Sequence, residues 1–254
     1  RSPTIQVPAE TRAGLAGVVM VGALDHMHGL VRAGGGGEHL VGVRLGHRVV
    51  TPELPAHGLD ATPAATVSLA DYAAHVAQAL RAAPEPAVLV GHSLGGMVIS
   101  AAAELVPERV RCLAYVAAFL PGDGDSLVGL ADGDTENELT PHCTADPAAG
   151  LLHLAPAGLR PAFYADCPDA DVALAARLAR PEPLRPLAEP VHLTPGRWGA
   201  IPRAYVECSA DRALPLARQR LMQAARPCQR VLRLSSSHSP FFSAPATKSS
   251  RRAL

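Results

Sequence analysis

The chain has 254 residues, 48 % of them hydrophobic, and its 23 basic residues balance 23 acidic ones, so the formal net charge is zero. This length suits one large domain, or a domain with an insertion, around a substantial core. The absence of a basic run before the final KSSRRAL argues against nucleic acid and an anionic membrane as partners. Apolar runs stop well short of membrane-spanning length, so we expect a soluble protein with a small, uncharged partner.

The cysteines and the first residues bear on the cellular compartment. Five cysteines are spread widely without CxxC spacing, which argues against a disulfide framework and against a zinc site. The stretch RSPTIQVPAETRAGLAG lacks the long apolar segment of a signal peptide. We therefore expect free thiols in a reducing compartment, and a cytoplasmic location.

Short apolar runs recur along the chain, and they are continuous rather than alternating, which is typical of strands buried on both faces of a parallel sheet. The predicted strands are Gly17–Val21, Arg48–Val50, Ala87–Val90, Cys112–Val116, Ala204–Cys208 and Arg230–Leu234. Segments 68–83, 94–106 and 213–225 have helical spacing, and Ser68 is a suitable N-cap. The alternation of strand and helix predicts the α/β class.

The alternation lapses between Pro121 and Pro202, where the sequence is rich in proline and aspartate. Its position between two predicted strands indicates a cap inserted over the edge of the sheet where ligands bind, and a loose surface insertion is the alternative. The predicted division is an N-terminal extension at 1–15, a core made of 16–120 and 201–254, and a cap at 121–200.

One motif carries a chemical prediction. Gly91-His92-Ser93-Leu94-Gly95 fits the pattern G-x-S-x-G, with a predicted strand before it and a predicted helix after it. Ser93 would occupy a tight, strained turn, which requires positions two residues to either side to be nearly free of side chains. The helix start would offer the backbone N–H of Leu94 to an oxyanion. The segment predicts a nucleophilic serine, and a structural glycine-rich turn is the alternative.

A serine nucleophile needs a histidine base that is in turn held by an acid. These partners should follow Ser93 in the order acid, then histidine, each just after a strand. Asp211 follows the Ala204–Cys208 run, and His238 follows the Arg230–Leu234 run. We therefore predict a triad of Ser93, Asp211 and His238.

Other roles stay open for these positions. Asp211 could instead cap the following helix, and His238 could be a surface-loop histidine. Asp123 and Asp125, which follow the fourth predicted strand, are rival acids, whereas Glu207 lies within a strand. The histidines show no paired metal-ligand spacing, so we expect no metal site.

The sequence resembles the α/β-hydrolase superfamily, and in particular its branch of plant methylesterases, hydroxynitrile lyases and related bacterial carboxylesterases. The segments VLVGHSLGGMVIS, AFLPGDGDSL, RAYVECSADRALPLARQR and SSHSPFFSAP are similar to that branch's nucleophile, cap-entry, acid and histidine segments. The resemblance covers about residues 16–21 and 46–245. It implies an α/β-hydrolase fold with a mostly parallel sheet, flanking helices and an inserted cap. It also implies Ser93 as nucleophile, Asp211 as acid, His238 as base and the Leu94 N–H as one oxyanion donor.

The resemblance also bears on the type of reaction. The second oxyanion donor in such enzymes comes from the loop after the first core strand, and Ala23 matches that position, although Val21 departs from the usual pattern. The lyase members use a lysine directly after the histidine and a threonine in the first loop. This chain has Ser239 and Gly22-Ala23 instead, which favours esterase chemistry over cyanohydrin cleavage.

Residues 24–43 depart most from the family pattern, which has tryptophans and a regular helix there. Gly34–Gly37 would cost such a helix about 1 kcal/mol per glycine. Plausible codons for Leu24-Asp25 and for Gly29-Leu30-Val31 contain TGG when the frame is shifted. Our hypothesis is a reading-frame slip in this segment, with a similar origin for 247–254.

The predicted activity is that of a serine carboxylesterase acting on a small, largely apolar ester, without a metal or an organic cofactor. The alternatives are lyase chemistry on the same triad and a non-catalytic receptor with a hydrolase pocket. Aromatic residues indicate an apolar pocket, with core packing as the alternative: Phe119, Phe163, Tyr164, Trp198, Phe241 and Phe242. The expected partners are the ester and, in a homodimer, a second copy of the chain; neither nucleic acid nor a membrane is expected.

Overall fold

A computed structural model describes residues 17–22 and 47–243 of the chain. The strands in this part are β1 (Gly17–Gly22), β2 (Arg48–Val50), β3 (Ala87–His92), β4 (Val110–Val116), β5 (Cys143–Asp146), β6 (Leu151–Leu154), β7 (Glu182–Pro183), β8 (Arg203–Cys208) and β9 (Arg230–Leu234). The α-helices are α1 (Leu69–Ala82), α2 (Gly95–Leu105), α3 (Leu127–Ala131), α4 (Pro156–Phe163), α5 (Asp169–Leu178), α6 (Leu184–Ala188), α7 (Leu216–Ala225) and α8 (Pro240–Ser243). Short 3₁₀ turns lie at Ala64–Thr66, Pro107–Arg109, Thr140–His142 and Trp198–Ala200.

A six-stranded sheet in the order β2-β1-β3-β4-β8-β9 forms the centre of the described residues. All five neighbouring pairs in it are parallel. The prediction of a mostly parallel sheet with flanking helices is therefore confirmed. β9 departs from the predicted burial, because Arg230, Val231 and Arg233 are exposed on this strand at the end of the described sheet.

Helix α1 shows how local sequence sets an element that packs on the sheet. The Ser68 side chain accepts a hydrogen bond from the Asp71 N–H, and the Asp71 carboxylate accepts one from the Ser68 N–H, which closes a capping box. The helix ends before Pro84, since the residue preceding a proline avoids the helical conformation. Its buried face repeats at helical spacing: Leu69, Tyr72, Ala73, Val76, Ala77 and Leu80.

Helix α7 begins at Leu216, later than the predicted segment 213–225. The reason is local: the backbone N–H groups of Ala213 and Leu214 donate to the Asp211 carboxylate, so these residues form a turn rather than the first turn of the helix. Pro215 follows that turn directly before the helix.

The segment predicted as a cap, 121–200, contains a second sheet that the sequence pattern did not reveal. Strands β5, β6 and β7 form an antiparallel sheet, with β6 in the middle. Proline is tolerated in β7 because this strand lies at the edge of the sheet. Helices α4 and α5 build a small core of their own, which Ala213 joins: Leu159, Ala162, Phe163, Tyr164, Cys167 and Ala175.

Several predictions fall on residues that the structure does not describe. These are the N-terminal extension 1–15, Ala23 and the segments 24–43 and 247–254. All five cysteines lie in the described part, where they are free thiols. None of the helices described is long and apolar enough to cross a membrane.

Candidate active site

The turn between β3 and α2 places Ser93 in an unusual backbone conformation. Its φ angle is 55°, in the left-handed region that non-glycine residues rarely adopt. A Cβ atom on Gly91 would lie 2.6 Å from the carbonyl oxygen of Gly95. A Cβ atom on Gly95 would lie 2.3 Å from the carbonyl oxygen of Val21 in β1. The turn therefore requires glycine on both sides of the serine, as the motif predicts.

The segment that follows β4 packs against the same turn. The N–H of Phe119 donates to the Ser93 carbonyl at 3.1 Å. A Cβ atom on Gly96 would lie only 2.0 Å from the Phe119 carbonyl oxygen, so the segment after β4 packs directly on the start of α2. Ala117, which directly follows β4, also has a positive φ of 42°. This contact could not be predicted from the sequence, because nothing local in the segment after β4 indicates it.

Asp211 lies just after β8, as predicted, and its side chain is fully buried. One carboxylate oxygen, Oδ1, accepts hydrogen bonds from the N–H groups of Ala213 at 2.9 Å and Leu214 at 2.8 Å. The other, Oδ2, lies 2.8 Å from Nδ1 of His238. Asp211 thus shapes the turn before α7 and contacts the histidine at the same time.

His238 follows β9 and is 1 % exposed, so the alternative of a surface-loop histidine is wrong. Because an ionised carboxylate only accepts hydrogen bonds, the contact with Asp211 assigns the ring proton to Nδ1. The other ring nitrogen, Nε2, is buried and has no hydrogen-bond partner among the described residues. The ring is therefore oriented through Nδ1, and Nε2 is left to accept a proton.

Two further rings fix the position of the imidazole. The His92 ring lies 4.6 Å from the His238 ring between centroids, and its Nε2 donates to the His238 carbonyl at 2.8 Å. Phe163, from α4, lies 5.2 Å from His238 on a centroid-to-centroid measure. Strand β3, which ends at His92, and helix α4, which ends at Phe163, thus both contact the His238 ring.

Ser93 and His238 line one cavity of about 680 Å³. Large apolar side chains make up much of its wall: Phe119, Leu127, Leu152, Leu159, Phe163, Leu187 and Leu214. Most of these belong to the segment 121–200, which therefore covers the serine and the histidine with an apolar wall. Carboxylate and guanidinium side chains also belong to the lining: Asp132, Asp134, Arg180 and Glu182. The mostly apolar wall favours a ligand with a large apolar part.

The rival acids lie elsewhere. Asp123 has 68 % of its side chain exposed, and it accepts a hydrogen bond from the Leu193 N–H. Asp125 pairs with Arg226. Glu207 pairs with Arg220 and Arg233. Among the described carboxylates, Asp211 is the one within hydrogen-bond distance of His238.

Of the two predicted oxyanion donors, Leu94 lies in the described part of the chain. Leu94 has helical dihedral angles (φ −52°, ψ −30°) at the start of α2, so its N–H belongs to the unpaired N-terminal groups of that helix. Ala23 lies outside the described residues, and its role stays a prediction.

The cysteines near the site are weak nucleophiles. Burial raises the pKa of the Cys143 thiol, which lines the cavity, above its ordinary value. Burial, assisted by the neighbouring Asp166, raises the pKa of Cys167 to about 12. Both thiols are protonated near neutral pH, and thiol chemistry depends on the thiolate. This leaves Ser93 as the reactive hydroxyl or thiol that the geometry favours.

The predicted aromatic pocket is only partly present. Phe119 and Phe163 line the cavity, whereas the Trp198 ring is buried in the core and donates to the Tyr115 hydroxyl at 3.0 Å. Phe241 packs edge-on against His92, with 5.0 Å between ring centroids. The remaining pair, Tyr164 and Phe242, pack together with their ring centroids 5.9 Å apart. The pocket therefore owes much of its apolar character to leucines.

The segment 121–200 also contacts the histidine loop, residues 235–239, through hydrogen bonds that the sequence did not predict. The Asp166 carboxylate accepts hydrogen bonds from the backbone N–H of Ser237, at 2.8 Å, and from its hydroxyl. Ser237 directly precedes His238. Since Asp166 lies 71 positions earlier in the chain, no local pattern reveals the contact.

Comparison with known proteins agrees with this geometry. The family model of the alpha/beta hydrolase family matches residues 22–248. An alpha-hydroxynitrile lyase of Arabidopsis thaliana is 31 % identical over 182 residues, covering 67 % of this chain and 70 % of the relative. Methylesterase 1 of the same plant is 29 % identical over 217 residues, covering 79 % and 82 %. A solved structure of a pyrethroid hydrolase from Sphingobium faniae superposes with a TM-score of 0.76 at 28 % identity, covering 91 % of this chain and 93 % of the other.

The family match spans most of the chain, and the relatives come from the branch that the sequence motifs predicted. The parallel sheet and the serine turn between β3 and α2 are those that the resemblance implied. The chain belongs to the α/β-hydrolase family.

Proposed function

We propose that this protein is a serine carboxylesterase that hydrolyses uncharged, largely apolar esters by acyl transfer. One observation carries the proposal: Ser93 and His238 line the same cavity, Asp211 contacts Nδ1 of His238, and Nε2 of that ring has no hydrogen-bond partner among the described residues. This arrangement has the parts that a serine needs to become a nucleophile near neutral pH.

The reaction would proceed in two steps. As the Ser93 hydroxyl oxygen attacks the ester carbonyl carbon, its proton moves to Nε2 of His238, and Asp211 stabilises the imidazolium that forms. The N–H of Leu94 would donate to the oxyanion, with Ala23 as the predicted second donor. The intermediate collapses, and His238 returns the proton to the departing alcohol. His238 then takes a proton from water as the water oxygen attacks the acyl-serine carbonyl carbon. It returns that proton to the Ser93 oxygen as the acyl–oxygen bond breaks, which releases the carboxylic acid and restores the enzyme.

The cavity also bears on substrate size. Cavities of roughly 300 to 1,000 Å³ hold drug-sized ligands, and this one has about 680 Å³. That is more room than the small ester predicted from the sequence needs, so we propose esters with a bulky apolar acyl or alcohol group. The names of two relatives, a methylesterase and a pyrethroid hydrolase, support ester substrates.

A lyase reaction on the same triad is the second candidate, because an alpha-hydroxynitrile lyase is among the relatives. The lyase pattern has a lysine directly after the histidine, and this chain has Ser239 there, buried and 1 % exposed. Lys248 is the single lysine of the whole chain. Cyanohydrin cleavage therefore lacks its expected cation, and we favour ester hydrolysis over it.

The test is a panel of p-nitrophenyl esters of increasing acyl length, assayed with the wild type, Ser93→Ala and Ser209→Ala. Ser209 is an exposed serine after β8, bonded to the Leu234 carbonyl, and serves as the matched control. We expect Ser93→Ala to lose on the order of 10⁵- to 10⁶-fold in kcat, as a serine-protease triad does, with its melting temperature kept. Ser209→Ala should stay near wild type, and longer acyl chains should react better than acetate.

Three results would contradict this proposal. Wild-type turnover in Ser93→Ala would refute the mechanism, and rapid cyanohydrin cleavage without ester hydrolysis would favour the lyase. Slow single-turnover acylation with tight retention of product would indicate the receptor alternative instead.

A further inference from the structure

Gln219, in helix α7, is a fully buried polar residue that the proposed reaction does not use. Its side-chain amide contacts the last residue of β8 twice. Oε1 accepts from the Cys208 N–H at 3.1 Å, and Nε2 donates to the Cys208 carbonyl at 3.1 Å. The side chain thus pairs with the end of β8 as a neighbouring strand would, three residues before Asp211.

The same amide nitrogen reaches the acid of the predicted triad. Nε2 of Gln219 lies 2.8 Å from the Leu214 carbonyl and 3.4 Å from Oδ2 of Asp211. Oδ2 is also the oxygen that contacts Nδ1 of His238. One buried amide therefore connects the strand end, the turn before α7 and the carboxylate that orients the histidine.

We propose that Gln219 is a positioning residue, which acts through Asp211 on His238; this inference rests on the proposed esterase function. The Asp211 side chain is fully buried, so each of its oxygens needs donors. Oδ1 has the N–H groups of Ala213 and Leu214, whereas Oδ2 has His238 and Gln219. Without Gln219, the end of β8 and Oδ2 of Asp211 both lose a hydrogen-bond partner, and the carboxylate is held less firmly against Nδ1 of His238.

A merely structural glutamine would behave differently, and α7 offers a matched control. Gln223 lies one turn further along the helix, where its Nε2 contacts Glu207 at 3.3 Å and the Gln219 carbonyl at 3.2 Å. Both glutamines therefore join α7 to β8, yet only the amide of Gln219 reaches Asp211. Removing the two amides separately distinguishes general support of β8 from positioning of the acid.

The experiment compares Gln219→Leu with Gln223→Leu, each alone and combined with Asp211→Asn. We expect Gln219→Leu to lower kcat by about tenfold with KM unchanged, which is the effect of one ordinary rather than charge-assisted hydrogen bond. The two N–H groups of Nε2 also serve the Cys208 and Leu214 carbonyls, and the contact with Oδ2 of Asp211 is the longest of the three at 3.4 Å. Gln223→Leu should stay within about threefold of wild type, since it leaves the carboxylate untouched. In the Asp211→Asn background, Gln219→Leu should add little further loss, because residues that act as a unit are not additive.

A second readout does not depend on turnover. The proton of the His238 Nδ1–H···Asp211 contact should give a downfield proton NMR resonance, which Gln219→Leu should shift or broaden and Gln223→Leu should leave in place. If Gln219→Leu does not fold, the uncharged variant Gln219→Met, which is closer to glutamine in length and shape, also removes the donor to Asp211 and should show the same loss of kcat.

The inference is overturned if Gln219→Leu resembles Gln223→Leu in kcat and in the resonance, or if its loss adds in full to that of Asp211→Asn. Failure of the proposed function is a separate outcome. A wild type without esterase activity would refute that function, while the resonance would still report whether Gln219 holds Asp211.

Discussion

At the scale of single residues, Ser93 shows strain at the point where the chemistry is proposed. A non-glycine residue in the left-handed region costs on the order of 1–3 kcal/mol, and here β1, α2 and the Phe119 N–H hold it in place. Such strain persists only where the surroundings determine it, as the close contacts of Gly91, Gly95 and Gly96 do. The turn thus places Ser93 in the lining of the cavity.

The identity of the acid is the sharpest prediction at this scale. Asp211→Asn should preserve folding, because the amide oxygen can still accept from Ala213 and Leu214. It should nevertheless lower kcat by up to about 10⁴-fold, since an amide does not select the Nδ1–H tautomer or stabilise the imidazolium. Steady-state kinetics on a p-nitrophenyl ester measures this effect.

Asp123→Asn and Asp125→Asn are the controls for that measurement. Neither carboxylate contacts His238, so both variants should change kcat only mildly. The assignment of Asp211 would be wrong if its Asn variant kept wild-type kcat while one of the two controls lost activity.

At the scale of elements, the segment above the sheet supports the base directly. Asp166 follows α4 and accepts two hydrogen bonds from Ser237, the residue before His238. We expect Asp166→Ala to lower kcat/KM by roughly five- to thirtyfold, because the histidine loop then lacks two hydrogen bonds of about 1 kcal/mol each. Limited proteolysis of the loop, together with kinetics, checks the prediction.

Asp169→Ala is the matched control for this contact. Asp169 lies three positions further on, and its exposed side chain pairs with Arg160 without touching the histidine loop. Exposed ion pairs of this kind contribute little to stability. Equal kinetics for Asp166→Ala and Asp169→Ala would show that the contact with Ser237 does not support the base.

The elements that follow local patterns could be predicted from the sequence. The six parallel strands appear as continuous apolar runs, and Ser68 and Pro84 mark the ends of α1. The order of serine, acid and histidine after strands predicted Ser93 and His238, which line the cavity, and Asp211, which contacts His238. By contrast, β5, β6 and β7 are short, and β7 consists of Glu182-Pro183, so neither alternation nor length marks them as strands.

Contacts between distant parts of the chain could not be predicted. Gln219 looks like an ordinary polar residue of an amphipathic helix, and its burial becomes visible only when α7 packs on the end of β8. Asp166 and Ser237 are joined only by the fold. The size of the cavity has the same origin, because its wall is assembled from many separate segments.

At the scale of the whole molecule, the parallel sheet and the segment 121–200 contribute different parts of the candidate site. The sheet positions Ser93, Asp211 and His238 at the ends of its strands, and the segment above it supplies most of the apolar wall. This division explains why the proposed triad can be predicted from motifs while the substrate cannot. In the proposed function, the reaction depends on three residues, whereas the choice of ester depends on the shape of the cavity.

The central claim is that Ser93 is a nucleophile activated by His238, and covalent labelling tests it most directly. Diethyl p-nitrophenyl phosphate should form one Ser93 Oγ–P bond with release of one p-nitrophenolate, and peptide mass spectrometry should find the diethylphosphoryl group on Ser93. Asp211→Asn should be labelled much more slowly, and Ser93→Ala should not be labelled. Labelling of Ser93→Ala at the wild-type rate, or a group found on another residue in the wild type, would contradict the account.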